Sequence, residues 1–436
     1  MRKAPSFPSF KVRAFIVFWR ALWWVATPVV LIYLWRRGRA DALYGMHLGE
    51  RFGRHRKRNA PHVWVHAVSI GELRSAVPLI NALLAQGEHV VTTHFTPAGR
   101  SASQDIFAEH INAGQLSAVW VPFDYGAAFK RFFKAFQPKY GLVMEVEFWP
   151  GMIMASRKHH VPLFLCNGQY PSRSFERDRM KRFSRADLVP GFAGVMVKSQ
   201  RQADRFAGLG VKNIAITGEM RFEQPIPQTH INAGAKVRGA LAQGRQVIGF
   251  ASVVKGEDEI FIAAMKAWPA ADRPLCVYIP RAPERFDETM QRIENAGFRA
   301  ARRSDVLDEN LALHAPCDTD VLVGDSLGEM YFYLSLCDKV LVGGGFTAKG
   351  SHNISEPLAL GKPVLVGPET WTIEFPVEEA IAAGVCKRTS ENALLADLMA
   401  PPLATETAIK DFMTSHGGAV ARTLGAVADF LTATSR

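Results

Sequence analysis

The sequence predicts an α/β protein of two Rossmann-like domains facing a cleft, preceded by an apolar N-terminal helix. Three observations carry that prediction. Short apolar runs alternate with amphipathic stretches along most of the chain, the pattern of βαβ units with parallel sheets. His66-Ala67-Val68-Ser69-Ile70-Gly71-Glu72 follows the run Val63-Trp64-Val65, and a second such motif from Gly343 to Pro357 follows Val340-Leu341-Val342. Each motif reads as a buried strand, a glycine-containing loop and a helix bearing a carboxylate, which places a site at the carboxyl ends of strands. Finally, 436 residues that are 48% hydrophobic and 21% charged suffice for two domains, each with its own core.

The first element is the apolar run 14–35, interrupted only by Arg20. As a helix it would extend roughly 33 Å, about one hydrocarbon core. Trp19, Trp23, Trp24, Tyr33 and Trp35 are rings suited to a membrane interface, and Pro28 predicts a kink. Residues 1–58 hold 13 Lys/Arg against Asp41 and Glu50, which accounts for the whole net charge of +11; the rest carries 39 bases and 39 acids. Charge so placed indicates a membrane surface and argues against nucleic acid as a partner. Arg36-Arg37-Gly38-Arg39 stands where a signal-peptide cleavage site would be, so an uncleaved anchor is expected, spanning the bilayer or lying in its interface. The denser basic cluster, 36–58, favours a body on the cytoplasmic side. Removing residues 1–36 is expected to release the chain from membranes and leave both α/β units folded. Five scattered cysteines without a CxxC pair indicate neither a disulfide framework nor a zinc site.

Expected strands follow at 63–65, 90–93, 119–121, 142–144, 163–166, 195–197 and 214–217, with helices at 72–86 and 200–208. The polar, breaker-rich stretch 223–235 suggests an interdomain linker. A second series reads as strands at 247–251, 276–279, 321–323, 340–342 and 364–366, with a mostly helical tail after Pro402 that is placed to brace the first domain. The expected division is an anchor and basic linker at 1–58, a first domain at 59–228, a linker at 229–243, and a second domain with the tail at 244–436.

Glu72 stands on the first turn of a helix, where the dipole favours a carboxylate anion and suits a general base. Ser69 and Glu72 also have capping-box spacing, and a capped carboxylate is an oriented one. Glu145 and Glu147 end a strand and, by alternation, share a face. Gly343-Gly344-Gly345 would let backbone approach a phosphate, with Glu356 on a ribose and Arg281 on an anion. Gly324-Asp325-Ser326-Leu327-Gly328-Glu329 is a further strand-to-helix turn suited to a nucleotide base. Asp318-Thr319-Asp320 precedes a strand where a metal-binding DxD would end one, so no metal is expected.

Taken in order, the apolar N-terminus, Gly49-Glu50-Arg51-Phe52-Gly53, Ser69–Glu72, Thr96-Pro97-Ala98-Gly99, 144–150, Ser172-Arg173-Ser174, Gly218–Phe222, Gly324–Glu329 and Ser351–Pro357 resemble the bacterial 3-deoxy-D-manno-octulosonic acid (Kdo) transferases of lipopolysaccharide synthesis. The resemblance implies the GT-B fold, CMP-Kdo as donor, a lipid A precursor as acceptor, the inner-membrane surface as location, and no metal or other cofactor. It implies that Glu72 is the base of an inverting transfer, with Ser69, Gly71, Glu145 and Glu147 on the sugar or acceptor side and Arg173 facing the acceptor's phosphate. Ser326, Leu327 and Gly328 would approach the nucleotide, Arg281 its phosphate, and Asn353 and Glu356 the phosphate and ribose. Four loops depart from the family pattern: 252–257 and 280–282 each lack a histidine, Gly218-Glu219-Met220-Arg221 replaces Gly-Asn-x-Lys, and Asn167-Gly168-Gln169-Tyr170-Pro171 replaces Asn-Ala-Arg-Leu-Ser. The alternatives are a related transferase with another acceptor or sugar, and a non-catalytic membrane-bound protein that binds lipid or nucleotide.

Overall fold

The computed structural model describes residues 7–181, 183–314 and 317–434; the first six residues of the expected anchor segment and the last two of the tail lie outside them. The chain forms two compact units, residues 1–224 with 418–436, and residues 225–417.

The first unit holds seven parallel strands: β1 (His62–His66), β2 (His89–His94), β3 (Leu116–Trp120), β4 (Tyr140–Met144), β5 (Leu163–Gly168), β6 (Gly194–Val197) and β7 (Ile214–Ile216). Their order, β3-β2-β1-β4-β5-β6-β7, reverses direction between β1 and β4. A crevice at the carboxyl ends of strands where the order reverses is where open α/β sheets bind ligands. β1 is fully buried on both faces and carries Trp64, whose Nε1 donates to Thr93 Oγ1 at 2.8 Å. Apolar clusters cover the sheet on either side. One is rich in phenylalanine from helix Gly126–Phe136, and the other is built around helix Ile70–Ala85.

The second unit repeats the plan with β8 (Val247–Val253), β9 (Leu275–Pro280), β10 (Ala300–Arg302), β11 (Val321–Val323), β12 (Lys339–Val342), β13 (Val364–Val366) and β14 (Cys386–Arg388), ordered β10-β11-β9-β8-β12-β13-β14. Here the reversal lies between β8 and β12. All twelve expected strands are present. The two unexpected ones, β10 and β14, are edge strands carrying Arg302, Lys387 and Arg388, too polar to register as apolar runs.

Two expected boundaries differ. The stretch 229–243 is no linker: Gln228–Ala242 is a helix that buries Gly234, Val237 and Leu241 in the second unit, and Arg238 pairs with Asp338 at 2.6 Å. Gly234 lies against Ser335, a close approach that no side chain would permit. The tail divides: residues up to 417, with helix Glu406–His416, stay with the second unit, and 418–436 join the first, which they brace as expected although the expected boundary put them in the second domain. Within helix Ala419–Thr434, Phe430 packs on Gly194 and stacks on Phe164, and Arg422 donates to Thr217 O.

The N-terminal helix, Phe10–Ala40, is long and apolar enough to cross a membrane. It is not independent of the first unit. Val12 and Ile16 are buried in its core, Phe15 stacks on Phe183 with centroids 4.1 Å apart, and Trp19 Nε1 donates to Asp124 Oδ2 at 2.8 Å. Removing residues 1–36 would therefore strip packing from this unit, contrary to the expectation from sequence. Each buried Val or Ile side chain contributes about 1.5–3 kcal/mol. The truncated chain is expected to melt at a lower temperature than the full chain, and Trp19→Phe alone to lose about 1–3 kcal/mol by leaving buried Asp124 short of a donor. Thermal unfolding followed by intrinsic fluorescence checks both; an unchanged melt for the truncate would show that the helix packs without consequence.

Candidate active site

The turn after β1 is shaped by three short-range devices. Ser69 caps helix Ile70–Ala85, its Oγ accepting from Glu72 N at 3.4 Å. The Glu72 carboxylate turns back to accept from Val68 N at 2.5 Å, so the cap and the oriented carboxylate are one arrangement. Thr96, which caps helix Pro97–Ile106, donates to Val68 O, and the same helix approaches the turn closely at Gly99. A Cβ at Gly99 would lie 3.2 Å from the Ser69 carbonyl carbon, whereas one at Gly71 would meet nothing closer than 3.9 Å. The glycine that positions Glu72 is thus Gly99, a role invisible in the local motif.

Glu145 and Glu147 converge on this turn, though not by strand alternation. β4 ends at Met144, and Glu145 lies in a left-handed turn with φ of 58°. That conformation costs a non-glycine residue roughly 1–3 kcal/mol. Polar contacts hold it there: Glu145 N donates to Cys166 O, and its carboxylate receives Arg221 Nη2 at 2.5 Å, Ser75 Oγ at 3.4 Å and Gln169 Nε2 at 3.4 Å. Arg221 Nε also donates to Ser75 Oγ at 2.7 Å. Glu147 accepts from Trp149 Nε1 at 2.5 Å, and burial raises its pKa.

Three carboxylates gathered at a buried edge change what Glu72 is. Burial first, then the charges of Glu147 and Glu145, raise its pKa from 4.5 to about 8, against the pull of the Val68 and Ser69 N–H groups. The helix dipole that favours an anion is outweighed, so Glu72 is mainly protonated at pH 7 rather than ionised as the local sequence suggests. A group titrating near 8 is a strong base when deprotonated.

Behind the cluster, the altered loops 167–171 and 218–221 meet. Lys198 and Glu219, each 1% exposed, pair at 2.8 Å. Asn167 Nδ2 donates to Glu219 at 2.8 Å, and Lys198 donates to Gln169 Oε1 at 3.2 Å. Burial alone would raise the Glu219 pKa, but Lys198 and Arg221 pull it down to about 2. Glu145, Gln169, Lys198, Glu219, Asn167 and Arg221 thus form one connected polar network. Sequence reading singled out both loops without seeing that they touch. Arg173 lies on helix Ser172–Arg179, exposed, just beyond β5 and at the same carboxyl edge as Glu72.

In the second unit the expected donor residues also sit at the carboxyl edge of the sheet: Arg281 after β9, Ser326, Leu327 and Gly328 after β11, Asn353 and Glu356 after β12. The glycine loop itself differs from expectation. Buried Glu257, from the loop after β8, accepts from Gly344 N at 2.7 Å, Phe346 N at 3.1 Å and Val254 N at 3.0 Å. Those backbone donors are taken by the chain's own carboxylate and are not offered to a phosphate. Gly343, Gly344 and Gly345 serve close packing instead: added Cβ atoms would strike Ser252 O, Gly350 O and the Gly367 backbone.

What remains open lies a few residues on. Ser351 Oγ, His352 Nε2 and Ser355 Oγ are buried without a hydrogen-bond partner among the described residues. Burial, then the charges of Arg281 and Lys349, holds the His352 pKa down to about 4, so Arg281 faces a neutral ring. Asn353 Oδ1 accepts from Ser355 N, and Glu356 is half-buried in the first turn of helix Ser355–Ala359. Ser326 Oγ is bonded to Glu329 and Tyr333, Leu327 is exposed, and Gly328 has φ of 85°. Asp318 and Asp320 both pair with Arg299.

The family described as 3-deoxy-D-manno-octulosonic-acid transferase (kdotransferase) matches residues 46–224. A 3-deoxy-D-manno-octulosonic acid transferase of Bordetella pertussis is 36% identical over 420 residues, covering 93% of this chain and 96% of the relative. The Haemophilus influenzae transferase of the same name is 27% identical over 369 residues, 82% of this chain and 83% of the relative. Among solved structures, a glycosyltransferase from Rickettsia africae superposes with a TM-score of 0.57 at 10% identity, over 86% of this chain and 99% of that one. A UDP-GlcNAc 2-epimerase from Neisseria meningitidis, bound to UDP-GlcNAc, gives 0.55 at 12% identity, over 85% and 99%. At such identity these two speak for the fold, two Rossmann-like units of GT-B type.

Proposed function

The chain belongs to the 3-deoxy-D-manno-octulosonic acid transferase family and is a glycosyltransferase; from that premise we propose that it transfers Kdo from CMP-Kdo to a lipid A precursor, with Glu72 as general base. The observation that carries the proposal is the gathering of Glu145 and Glu147 around Glu72 where the first sheet reverses its order. In the proposed reaction an acceptor hydroxyl binds at the carboxyl edge of β1 and β4. Glu72 takes its proton as the oxygen attacks the anomeric carbon of Kdo, CMP departs with the electron pair of the broken bond, and the configuration inverts. Glu145, locked by Arg221 and Ser75, and Glu147 keep the base in its poised state and line the sugar or acceptor side with Ser69 and Gly71. Arg173 faces the acceptor's phosphate.

On the donor side, Arg281 and the segment 351–356 take the phosphate and ribose of CMP. The unmet hydrogen bonds of Ser351, His352 and Ser355 support a polar ligand there. Ser326, Leu327 and Gly328 approach the base. The N-terminal helix holds the enzyme at the cytoplasmic face of the inner membrane. No metal takes part in the proposed reaction, and chelation by EDTA is expected to leave the rate unchanged; a rate restored only by a divalent cation would refute that element.

The test is incubation of the purified full chain with a lipid A precursor and freshly generated CMP-Kdo, followed by mass spectrometry of the lipid. A gain of one or more Kdo units is expected. Bound CMP-Kdo with no transfer to this acceptor would mean that the altered loops mark a different acceptor or a lost activity.

A further inference from the structure

The N-terminal helix is apolar on two faces. Val12, Ile16, Trp19 and Trp23 turn toward the first unit, while Phe18, Leu22, Val25, Val29 and Ile32, spaced by three and four residues, are exposed. The segment from Val12 to Trp23 is committed to the first unit, so a helix seated in a membrane interface would present its exposed outer face to the leaflet.

Between the inner face and the body lies a groove of about 740 Å³. That is the size of pockets that enclose small-molecule ligands, roughly 300–1,000 Å³. Its wall is apolar, formed by Ile16, Trp23, Phe52, Met154 and Ala155, and Arg20, Arg54, Lys130, Arg131 and Lys158 also line it. Among the described residues none of these five cations has an ion-pair partner. The one acid lining the groove, Asp124, has its carboxylate engaged by Gly151 N at 2.9 Å, Met152 N at 2.7 Å and Trp19 Nε1. The groove therefore combines an apolar channel with positive charge paired with no carboxylate among the described residues, beside a helix with an exposed apolar face.

We propose that this groove holds one anionic phospholipid of the surrounding bilayer, an acyl chain against the apolar wall and the headgroup phosphate among the cations. The inference rests on reading the helix as membrane-seated but not on Kdo transfer, and its readout is lipid stoichiometry. A resident lipid would complete the packing that Trp19 and Trp23 begin and would fix the catalytic body to the membrane at a defined depth.

Full-length protein is purified from membranes in a mild non-ionic detergent, and phospholipid is identified by native mass spectrometry and quantified after extraction. About one phospholipid per chain is expected. Delipidated protein should recover it from vesicles containing phosphatidylglycerol, and at least tenfold less from vesicles of phosphatidylcholine alone. Ala155→Trp, which fills the channel, and the exposed pair Lys130→Glu with Arg131→Glu should each lower retention at least tenfold, while Val29→Ala on the outer face should not. If Ala155→Trp fails to fold by circular dichroism, the charge-reversed pair decides. Wild-type protein free of lipid, equal uptake from both vesicles, retention unaffected by charge reversal, or displacement by stoichiometric lipid A precursor would each overturn the proposal.

Discussion

Glu72→Gln is expected to lower the rate of Kdo transfer by roughly 10²–10⁴-fold, the usual contribution of a positioned general base. The substitution is nearly isosteric, and the amide oxygen can still accept from Val68 N, so the turn after β1 keeps its shape. It also removes a carboxyl from a site where burial and two neighbouring carboxylates oppose ionisation, so thermal stability is expected to hold or rise. Affinity for CMP, measured by calorimetry, should be unchanged. A loss confined to the turnover number identifies a group that acts in the transition state; an equal loss in CMP affinity would make Glu72 a structural residue.

Lys198→Met is expected to destabilise the first unit by about 3–5 kcal/mol, because it leaves Glu219 charged and buried without its cation. Replacing both partners by apolar residues should restore most of that loss. The pair also has a pH signature. The folded carboxyl of Glu219 titrates at about 2 against an ordinary 4.5, so its stabilisation is fully present above about pH 4.5 and is lost as pH falls toward 2. That acid-dependent component should vanish in the doubly apolar variant. Two units in one chain do not guarantee a single transition, so hydrogen exchange at Gly194–Val197, the strand leading into Lys198, is the suitable measurement. Unchanged protection there in Lys198→Met would show that Glu219 finds other compensation.

These two predictions divide along what the sequence could show. The Glu72 turn is local: an apolar strand, a serine cap and a carboxylate three residues on are contiguous, and periodicity places them without tertiary information. Most of the twelve strands are legible for the same reason, since parallel strands buried on both faces read as continuous apolar runs, and the edge strand β7 is legible by its apolar residues alone. The network that tunes the site is not local. Glu145 meets Arg221 across 76 positions, and Asn167 meets Glu219 across 52. Only chain folding decides that such residues share a space. Strand alternation misplaces Glu145 because its backbone enters the left-handed region, which no pattern of hydrophobicity encodes. Glu257 likewise takes the donors of the glycine loop from 87 residues away, turning an apparent phosphate cradle into an internal bond. The polar composition of Gln228–Ala242 hides a helix, whereas the bracing of the first unit by the end of the tail is legible in the sequence.

The central claim is that Glu72 is the base and that Glu147 helps set its pKa. The pH dependence of kcat/KM for Kdo transfer, wild type beside Glu147→Gln, tests it most directly. Removing a neighbouring negative charge favours ionisation of Glu72, so its pKa must fall. The wild-type profile should rise with unit slope and level off near pH 8, and the variant should level off at a lower pH. A wild-type profile flat between pH 6 and 9, or a limb that stays in place when Glu147 is neutralised, would contradict the account.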